Sequence, residues 1–445
     1  MNLVRKLPFV AGVIALLVLA GCLGPSPVPV SAGYGPQPVL PVPERGLIPT
    51  VNIAPASTWP PGAAPRPAQG FAVTPFATGL DHPRWLYVLP NGDALVAETN
   101  APPRPDDGRG LKGWAMRLVM KRAGAGVPSA DRISLLRDAD GDGRAELTTR
   151  FLTGLHSPFG MALVGDQLYV ANTDAIVRFT YTPGSTSVDG VGVTVAALPA
   201  GSINHHWTKN ILATPPDRAG TVKLYVTVGS NSNVAENGLD KEVDRAAILE
   251  LDVGSGVLRP FATGLRNPNG LAWSPADGRL WTVVNERDEI GNDLVPDYLT
   301  AVADGAFYGW PWSYYGQHVD RRVTPARPDK VAAAVRPDYA LGAHTASLGL
   351  AFYSGALFPE RFHGAVIIGQ HGSWNRKPRS GYTVVAVPFV AGRPAGPVEE
   401  ILGGFVDAAG NANGRPVGVA IDNRGGLLVA DDVGNTVWRV VPAAM

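Results

Sequence analysis

Residues 261–283 carry the sequence FATGLRNPNGLAWSPADGRLWTV, and this stretch decides the fold. Two apolar runs flank an Asp-Gly turn at Asp277-Gly278, a pattern that indicates two antiparallel strands joined by a tight turn. The same opening, Phe-x-Thr-Gly-Leu followed by a proline, begins at Phe76 and at Phe151. The stretch is therefore one copy of a repeat whose unit is strand, turn and strand.

Weaker copies of this repeat bring the number to six. They occupy residues 207–228, 347–368 and 401–430. Six all-β repeats of about sixty residues predict a six-bladed β-propeller of four-stranded antiparallel blades, because about forty residues build a bare blade and the excess forms long loops. Such loops line one face of a propeller, where sites usually lie. A β-sandwich is the alternative fold. We expect Phe71 to Pro75 to supply the outer strand that closes the ring.

The composition excludes several classes of protein. The chain has 445 residues, of which 38 are basic and 38 acidic, and this balance excludes a nucleic-acid binder that relies on a basic surface. Glycine and proline, with 53 and 41 residues, favour many short strands and tight turns. A single cysteine excludes a disulfide framework and a cysteine-based zinc or iron–sulfur site.

The first residues have the pattern of a bacterial export signal. A basic pair at residues 5–6 precedes an apolar run at residues 8–20 that is short for a membrane span. The run ends in Leu19-Ala-Gly-Cys22, which resembles a lipobox, in which cleavage precedes the cysteine and its thiol is acylated. We expect a lipoprotein signal peptide at residues 1–21 and a lipid anchor on Cys22. The protein would then lie at the periplasmic face of a bacterial envelope, and Leu23 favours the outer membrane. An ordinary secretory signal is the alternative.

Residues 22–70 have the composition of a linker. Thirteen prolines fall between Pro25 and Pro67, with few charges and little apolar periodicity. Such a segment has no core to bury, so it is expected to be an extended, disordered spacer. Residues 71–445 then form the propeller.

The adjacent histidines His205 and His206 are candidates for acid–base chemistry. Neighbouring side chains on an extended chain point to opposite faces, so at most one of the pair is expected to face a central channel. A histidine there suits a general base, because its ordinary pKa is about 6.5. A surface or packing role is the alternative.

Arg266 and Asn267 open the inner strand of the fourth repeat. Strand entrances near the axis of a propeller are where side chains converge, and the planar fork of an arginine there binds an anionic ligand well. An arginine that merely pairs with a carboxylate in a turn is the alternative.

Two acidic stretches have the oxygen-rich character that calcium prefers. The run that follows the second strand of the fourth repeat offers three candidate ligands, Asn285, Glu286 and Asp288. A solvated acidic loop is the alternative there. The second stretch alternates carboxylates with small residues at Asp138, Asp140 and Asp142. It differs from an EF-hand because Thr149 stands at the twelfth position, so it predicts a structural calcium loop or a plain Asp/Gly turn.

Several motifs, taken in order, resemble the sorbosone/glucose dehydrogenases that use pyrroloquinoline quinone (PQQ) on a six-bladed propeller. The resemblance covers most of residues 71–442 and is carried by residues 205–209, 264–271, 280–288, 308–311, 371–376 and 414–418. Single motifs are moderately specific, whereas their order is highly specific. The Trp-Thr-Lys and Gly-Ser-Trp-Asn-Arg signatures are closer to the sorbosone branch.

The resemblance implies a mechanism for oxidising a sugar, aldose or related alcohol. A histidine, His206 or otherwise His205, takes the hydroxyl proton while hydride passes to the quinone. Calcium polarises the quinone carbonyl, and Arg266 with Asn267 stabilises the charge that develops on it. The implied cofactor-binding residues are Arg415, Arg376 and Trp374.

The sequence departs from this family at three places. Glu286-Arg287 stands where the glucose dehydrogenases offer Gly-Pro carbonyls to calcium, and Val417 stands where a second cofactor arginine is found. His156 or Ser157 would occupy the space of a missing glutamine. No Cys-x-x-Cys-His motif is present, so the electrons must leave to a separate acceptor, a cytochrome or a quinone. A non-catalytic binding propeller and a calcium-dependent lactonase-type hydrolase are the alternative functions.

Overall fold

The computed structural model describes residues 24–44, 46, 50–103, 118–215 and 222–443. The expected signal peptide at residues 1–21 and the expected anchor Cys22 lie outside the described residues. Among the described residues, none of the helices is long and apolar enough to cross a bilayer.

Six antiparallel sheets form the blades of a propeller. Before the first blade come β1 (Tyr34–Gly35), β2 (Arg66–Pro67) and β3 (Phe71–Thr78). Blade 1 contains β4 (Pro83–Val88), β5 (Ala94–Glu98), β6 (Arg132–Arg137) and β7 (Leu147–Leu152). Blade 2 contains β8 (Met161–Val164), β9 (Gln167–Ala171), β10 (Ala175–Thr180) and β11 (Val193–Ala197), and blade 3 contains β12 (Ile211–Ala213), β13 (Lys223–Val228), β14 (Ala247–Asp252) and β15 (Leu258–Thr263).

Blades 4 and 5 each carry an additional short hairpin. Blade 4 contains β16 (Asn267–Trp273), β17 (Leu280–Asn285) and β18 (Pro296–Val302), then a hairpin of β19 (Ser313–Tyr314) and β20 (His318–Val319), a short helix (Pro328–Ala333), and β21 (Tyr339–Ala343). Blade 5 contains β22 (Ser347–Phe352), β23 (Val366–Gln370) and β24 (Thr383–Val387), a hairpin of β25 (Phe389–Val390) and β26 (Arg393–Pro394), and β27 (Glu399–Gly403). Blade 6 contains β28 (Pro416–Ile421), β29 (Leu427–Asp431) and β30 (Thr436–Pro442). Short 3-10 turns occur at Val30–Gly33, Leu239–Glu242 and Glu360–Phe362.

The ring closes as the sequence predicts. β3 pairs with β30, from Phe71 opposite Pro442 to Thr78 opposite Thr436, so the first propeller strand completes the last blade. The six-bladed all-β fold is thereby confirmed. The number of strands per blade is four, as predicted, except in blades 4 and 5, where β1 and β2 add a fifth strand.

The repeated Pro-x-Gly motif allows the inner strands to pack closely around the axis. A Cβ at Gly418 would lie 2.7 Å from the carbonyl oxygen of Arg84 on the next inner strand. One at Gly270 would lie 2.8 Å from the amide of Leu350, and one at Gly160 would lie 2.7 Å from the Cα of Asn210. Only glycine fits at such an approach of two backbones, which explains the glycine of this motif in blades 2, 4 and 6.

Each blade buries both of its faces, as β17 in blade 4 shows. Leu280 and Val284 pack toward blade 3, whereas Trp281 and Val283, with the opposite pleat, pack toward blade 5. Successive residues of a strand point to opposite faces, so a strand between two blades is apolar along its whole length.

The proline-rich N-terminal segment packs against the propeller, contrary to the expectation of an extended, disordered spacer. Tyr34 pairs with Leu341 at the edge of blade 4, and Arg66 pairs with Gly403 at the edge of blade 5. The Trp59 ring packs edge-on against Phe405 with the centroids 5.8 Å apart. The outer strand of a blade exposes unpaired backbone N–H and C=O groups, and a two-residue strand can form hydrogen bonds with some of them. The described part of residues 24–70 therefore belongs to the propeller.

Candidate functional site

Polar side chains gather at the face where the inner strands begin, which we call the site face. These strands are preceded or opened by His82, Ser157, His206, Arg266, His344 and Arg415. The opposite ends of the inner strands surround a cavity of about 590 Å³ whose described lining has no acidic, basic or histidine side chain. The site face is therefore the candidate for chemistry.

His206 is fixed by one ring nitrogen and leaves the other unpaired. Its Nδ1 lies 2.7 Å from the carbonyl oxygen of Ser230, and the Ser230 hydroxyl donates to the carbonyl of Ser232 at 2.6 Å. Because a carbonyl can only accept, Nδ1 carries the proton and Nε2 keeps its lone pair. Nε2 has no hydrogen-bond partner among the described residues. Burial, and then the charge of Arg266, hold the pKa of His206 well below its usual range. The imidazole is therefore a neutral base.

Asn267 lies beside His206 because of a glycine between them. A Cβ at Gly229 would collide with both the Asn267 carboxamide oxygen and the Cβ of His206. That amide oxygen is buried and has no partner among the described residues. His205, by contrast, is half-buried and makes its own interactions. The structure thus brings His206, Asn267 and the Ser230 backbone into one cluster.

Most N–H groups of Arg266 donate hydrogen bonds to other protein groups. Its Nη1 donates to the carbonyl of Glu286 at 2.5 Å, and its Nε donates to the carbonyl of Asn233 at 3.2 Å. Its Nη2 donates to the Asn233 side chain at 3.1 Å and to Asp288 at 3.3 Å. Since a guanidinium has five N–H groups, one on Nη1 remains for a ligand.

Asp288 is the centre of a second cluster that sequence reasoning did not find. Its carboxylate accepts from His344 Nδ1 at 3.2 Å and from Asn375 Nδ2 at 2.8 Å, in addition to Arg266. Burial alone would raise the pKa of Asp288, but the His344 hydrogen bond and the Arg266 charge lower it to about 2. Burial opposes charging of His344, yet its bond to Asp288 raises the pKa of His344 above the ordinary value. The ionised Asp288 is thus the counter-ion of Arg266 and of protonated His344.

The Glu286 side chain is fully enclosed. Its side chain and that of Arg287 are both 0% exposed, with Arg287 Nε 3.0 Å from the carboxylate. Arg287 also donates to the carbonyls of Pro311 and Ser313 at 2.8 and 2.6 Å. The third expected ligand, Asn285, donates its amide to the carbonyl of Ser347 at 2.7 Å. Donors therefore already engage Asn285, Asp288 and one oxygen of Glu286, whereas Glu286 Oε1 is buried with no partner among the described residues. The calcium site expected at Asn285, Glu286 and Asp288 stays a prediction.

A cationic cluster missed by sequence reasoning surrounds Asp432 on blades 1, 5 and 6. The Asp432 carboxylate accepts from Arg84 at 2.6 Å and from His371 at 2.9 Å, and His82 lies 3.5 Å away. Burial lowers the pKa of His82 to about 4 and also lowers that of His371. The charge of Arg415 acts on Arg84 as well. Two arginines and two neutral histidines thus surround Asp432, and the neighbouring Asp431, whose pKa burial raises to about 6, accepts from the backbone amide of Arg415 at 2.7 Å.

The N-terminal segment holds two of the expected cofactor arginines. Arg415 donates from Nη2 to the carbonyl of Ala54 at 3.0 Å and stacks over the Tyr382 ring. Arg376, 1% exposed, donates to the carbonyl of Val28 at 2.8 Å and to Asp293 at 2.7 Å. A guanidinium so completely enclosed has no surface for a cofactor, and the role implied for Arg376 is therefore not supported.

The other positions named by the sequence do not join these clusters. Trp374 is half-buried, and its backbone carbonyl accepts from the amide of Asn52 at 2.7 Å. Val417 is fully buried between inner strands, and His156 pairs with Asp174 at 2.8 Å on the surface. Ser157 is buried, and its hydroxyl has no partner among the described residues.

The second acidic stretch lies between β6 and β7, at the face opposite the site face. Donor atoms of Asp138, Asp140, Asp142 and Glu146 all lie within 4.8 Å of one another, and this is the one such group among the described residues. Glu146 was missed because the EF-hand spacing directs attention to Thr149. The loop is kept tight by amides, such as that of Gly143, which donates to Asp138 at 3.0 Å. Its position separates any cation there from the site face.

Comparison with known proteins identifies the family. The model of the TrAA12-like family matches residues 133–297 and 320–443, more than half of the chain. The chain belongs to the TrAA12-like family. An uncharacterised protein of Borreliella burgdorferi is 30% identical over 220 residues, which cover 49% of this chain and 57% of that protein. The aldose sugar dehydrogenase of Escherichia coli is 31% identical over 101 residues, 22% of this chain and 26% of that enzyme. The chain thus spans about half the length of the Borreliella protein and about a quarter of the length of the Escherichia coli enzyme.

Solved structures agree with the TrAA12-like fold. The PQQ domain of a pyranose dehydrogenase from Coprinopsis cinerea has a TM-score of 0.67 at 21% identity, covering 88% of this chain and 100% of that domain. A family AA12 enzyme of Trichoderma reesei has a TM-score of 0.67 at 19% identity, covering 88% and 99%. The apo form of the Escherichia coli aldose sugar dehydrogenase has a TM-score of 0.56 at 17% identity, covering 84% and 100%. At these identities the likeness establishes the fold.

Proposed function

We propose that this TrAA12-like protein is a PQQ-dependent dehydrogenase of sugars or related alcohols. The observation that carries the proposal is His206, a neutral imidazole at the site face whose Nδ1 is bound to Ser230 and whose Nε2 is unpaired among the described residues. The relatives support it, because one is named an aldose sugar dehydrogenase and one structural neighbour is described as a PQQ domain. The sorbosone branch is the finer part of the proposal and is carried by the Trp-Thr-Lys motif at residues 207–209.

The charge at the site face fits an anionic, planar cofactor. PQQ carries carboxylates, and the guanidinium groups of Arg84 and Arg415 supply two positive charges beside the buried carboxylates of Asp431 and Asp432. The Nε atoms of Arg84 and Arg415 are buried and have no partner among the described residues, and the same holds for Nε of Arg376, so this feature does not by itself mark a cofactor site. Arginine forks match carboxylates in geometry. These two residues, with the remaining N–H of Arg266, are the groups that would hold it.

Bound PQQ supplies a quinone that accepts a hydride from the substrate carbon. The protein supplies the rest of the reaction. His206 Nε2 accepts the hydroxyl proton as the C–H bond gives up its hydride, and the C–O bond becomes a carbonyl. Ser230 holds Nδ1–H, which keeps the ring in the tautomer that this step needs. Asn267, fixed beside His206, is placed to orient the substrate hydroxyl.

Calcium and the cellular setting are further parts of the proposal. The four carboxylates at Asp138, Asp140, Asp142 and Glu146 suit a hard cation, and we propose a structural calcium there. Electrons pass to a separate cytochrome or quinone, and the protein is anchored through Cys22 at the periplasmic face of the envelope. The clustered carboxylates support the calcium, whereas the acceptor and the anchor rest on the sequence motifs.

Titration with PQQ tests the proposal. We expect stoichiometric binding by absorbance and dye reduction that depends on an added aldose. His206→Asn should keep PQQ binding and lower kcat about 10²–10⁴-fold, the usual contribution of a general base. The control is His318→Asn, on an exposed hairpin, which should leave kcat unchanged. A folded protein that binds no PQQ at micromolar concentrations would contradict the proposal.

A further inference from the structure

The N-terminal segment first touches the propeller at the rim of the site face. The carbonyl of Gly24 accepts from Asn292 Nδ2 at 3.0 Å, and the amide of Ser26 donates to the carbonyl of Lys377 at 2.6 Å. The Ser26 hydroxyl donates to Asp293 at 2.5 Å. Asn292 and Asp293 follow β17 and Lys377 follows β23, so both loops belong to the site face of blades 4 and 5. The chain therefore joins the fold at one defined place.

This docking leaves little free chain between Cys22 and the propeller. Only Leu23 lies between Cys22 and Gly24, and a fully extended chain spans about 3.5 Å per position, so about 7 Å is the limit for these two steps. A free coil of the length of residues 23–70 would instead have an end-to-end distance of about 40 Å. The next contacts keep the segment in place, since Arg376 donates to Val28 and Tyr34 pairs with Leu341.

We infer that acyl chains on Cys22 hold the site-face rim of blades 4 and 5 against the bilayer surface. Each buried methylene contributes about 0.8 kcal/mol, so the acylated cysteine stays at the level of the headgroups. The docked segment passes this constraint to the propeller through Asn292, Asp293 and Lys377. Lys377 is exposed and positive, which favours anionic headgroups. The inference rests on the proposed lipid anchor at Cys22 and does not depend on the proposed redox chemistry.

Fluorescence quenching in vesicles tests this orientation. The full-length protein, purified from membranes, is reconstituted into phosphatidylethanolamine and phosphatidylglycerol vesicles that contain a nitroxide-labelled lipid. Acylation consumes the thiol of Cys22, so an introduced cysteine is the single labelling site. Lys377→Cys places a fluorophore on the site face of blade 5, and Glu360→Cys is the matched control on the opposite face of the same blade. We expect quenching at position 377 to exceed that at position 360 at least about twofold, because nitroxide quenching falls steeply with distance from the headgroup region.

A spacer variant separates anchoring from docking. A flexible Gly/Ser insert of about twenty residues between residues 23 and 24 should keep the protein on the vesicles and abolish the difference between the two labels. Mass spectrometry of the N-terminal peptide should show acylated Cys22. An unacylated Cys22, equal quenching at both labels, or stronger quenching at position 360 would each overturn the inference, and none of these results would bear on PQQ binding.

Discussion

Two acidic loops on opposite faces of the propeller resemble each other in sequence and differ in structure. The loop after β17 carries Glu286 and Asp288, and its carboxylates are bonded to Arg287, Arg266 and His344. The loop between β6 and β7 carries four carboxylates held mainly by backbone amides. Both have the oxygen-rich composition that suggests calcium. Only the loop between β6 and β7 brings four carboxylates within 4.8 Å of one another.

The difference lies in what the fold brings to each loop. Asp288 meets His344 across 56 positions of the chain and Asn375 across 87, and each contact is made by a loop of blades 4 and 5 at the site face. At the opposite face, the one cationic side chain among the described residues that pairs with Asp138 is Arg424, at 3.2 Å and partly exposed. A buried carboxylate must be paired, whereas a surface loop can keep unpaired ones.

Breaking the buried pair of the first loop should have the largest effect. Arg287→Met leaves the Glu286 carboxylate enclosed with no counter-charge and removes two donors from carbonyls of Pro311 and Ser313. We expect the free energy of unfolding, measured with urea, to fall by about 3–5 kcal/mol. The exposed Arg327→Met should leave it almost unchanged. Adding Glu286→Gln to Arg287→Met should recover part of the loss, and a drop no larger than that of the Arg327 variant would contradict the pairing.

The fold could be predicted from the sequence because its signal is repeated and local. Each Phe-x-Thr-Gly-Leu opening and each Pro-x-Gly motif marks one inner strand, and Gly270 and Gly418 show the reason, namely a neighbouring backbone within van der Waals contact. The strand added by Tyr34–Gly35 had no such signal. It is two residues long and forms only because the edge of blade 4 is already in place.

The site was predictable only in part. His206, Arg266 and Asn267 lie at the expected strand entrances, and the structure brings His206 and Asn267 together. The partners that decide their charge could not be found from spacing, because Ser230 acts through its backbone carbonyl. Arg376 matched a motif but is enclosed by Val28 and Asp293, from two distant parts of the chain.

Removing the central charge of the first loop should have an intermediate, pH-dependent effect. Asp288→Asn takes away a carboxylate that accepts from His344, Asn375 and Arg266, and hydrogen bonds to charged groups contribute about 1.5–3 kcal/mol. The pKa of Asp288 is lowered to about 2 and that of His344 is raised. The stabilisation is therefore complete between about pH 4 and pH 6.5, the ordinary pKa values of the two groups, and is lost as pH rises through the folded pKa of His344.

Urea unfolding at pH 5.5 and at pH 9 measures this dependence. The gap between the wild-type protein and Asp288→Asn should be wider at about pH 5.5 than at about pH 9, because the stabilisation that depends on a protonated His344 is lost as pH rises through its raised folded pKa. Asp297 also faces His344, and burial raises its pKa to about 6, so it is largely ionised well above that pH. Asp329→Asn, on the surface, is the control. A gap that stays constant or grows toward pH 9 would show that Asp288 and His344 do not act as a charged pair.

Calcium binding to the loop between β6 and β7 should have the smallest effect on the free energy of unfolding. At a calcium concentration ten times Kd, binding to the folded state alone adds about 1.4 kcal/mol to the free energy of unfolding. The carboxylates of Asp138, Asp140, Asp142 and Glu146 repel one another when no cation is bound, so calcium should raise Tm in calorimetry and a chelator should lower it. Glu146→Gln and Asp140→Asn should each reduce this rise, whereas Asp329→Asn, outside both loops, should keep it. If calcium raises Tm equally in Asp140→Asn and in the wild-type protein, the cation binds elsewhere, and the contrast between the two loops does not extend to metal binding.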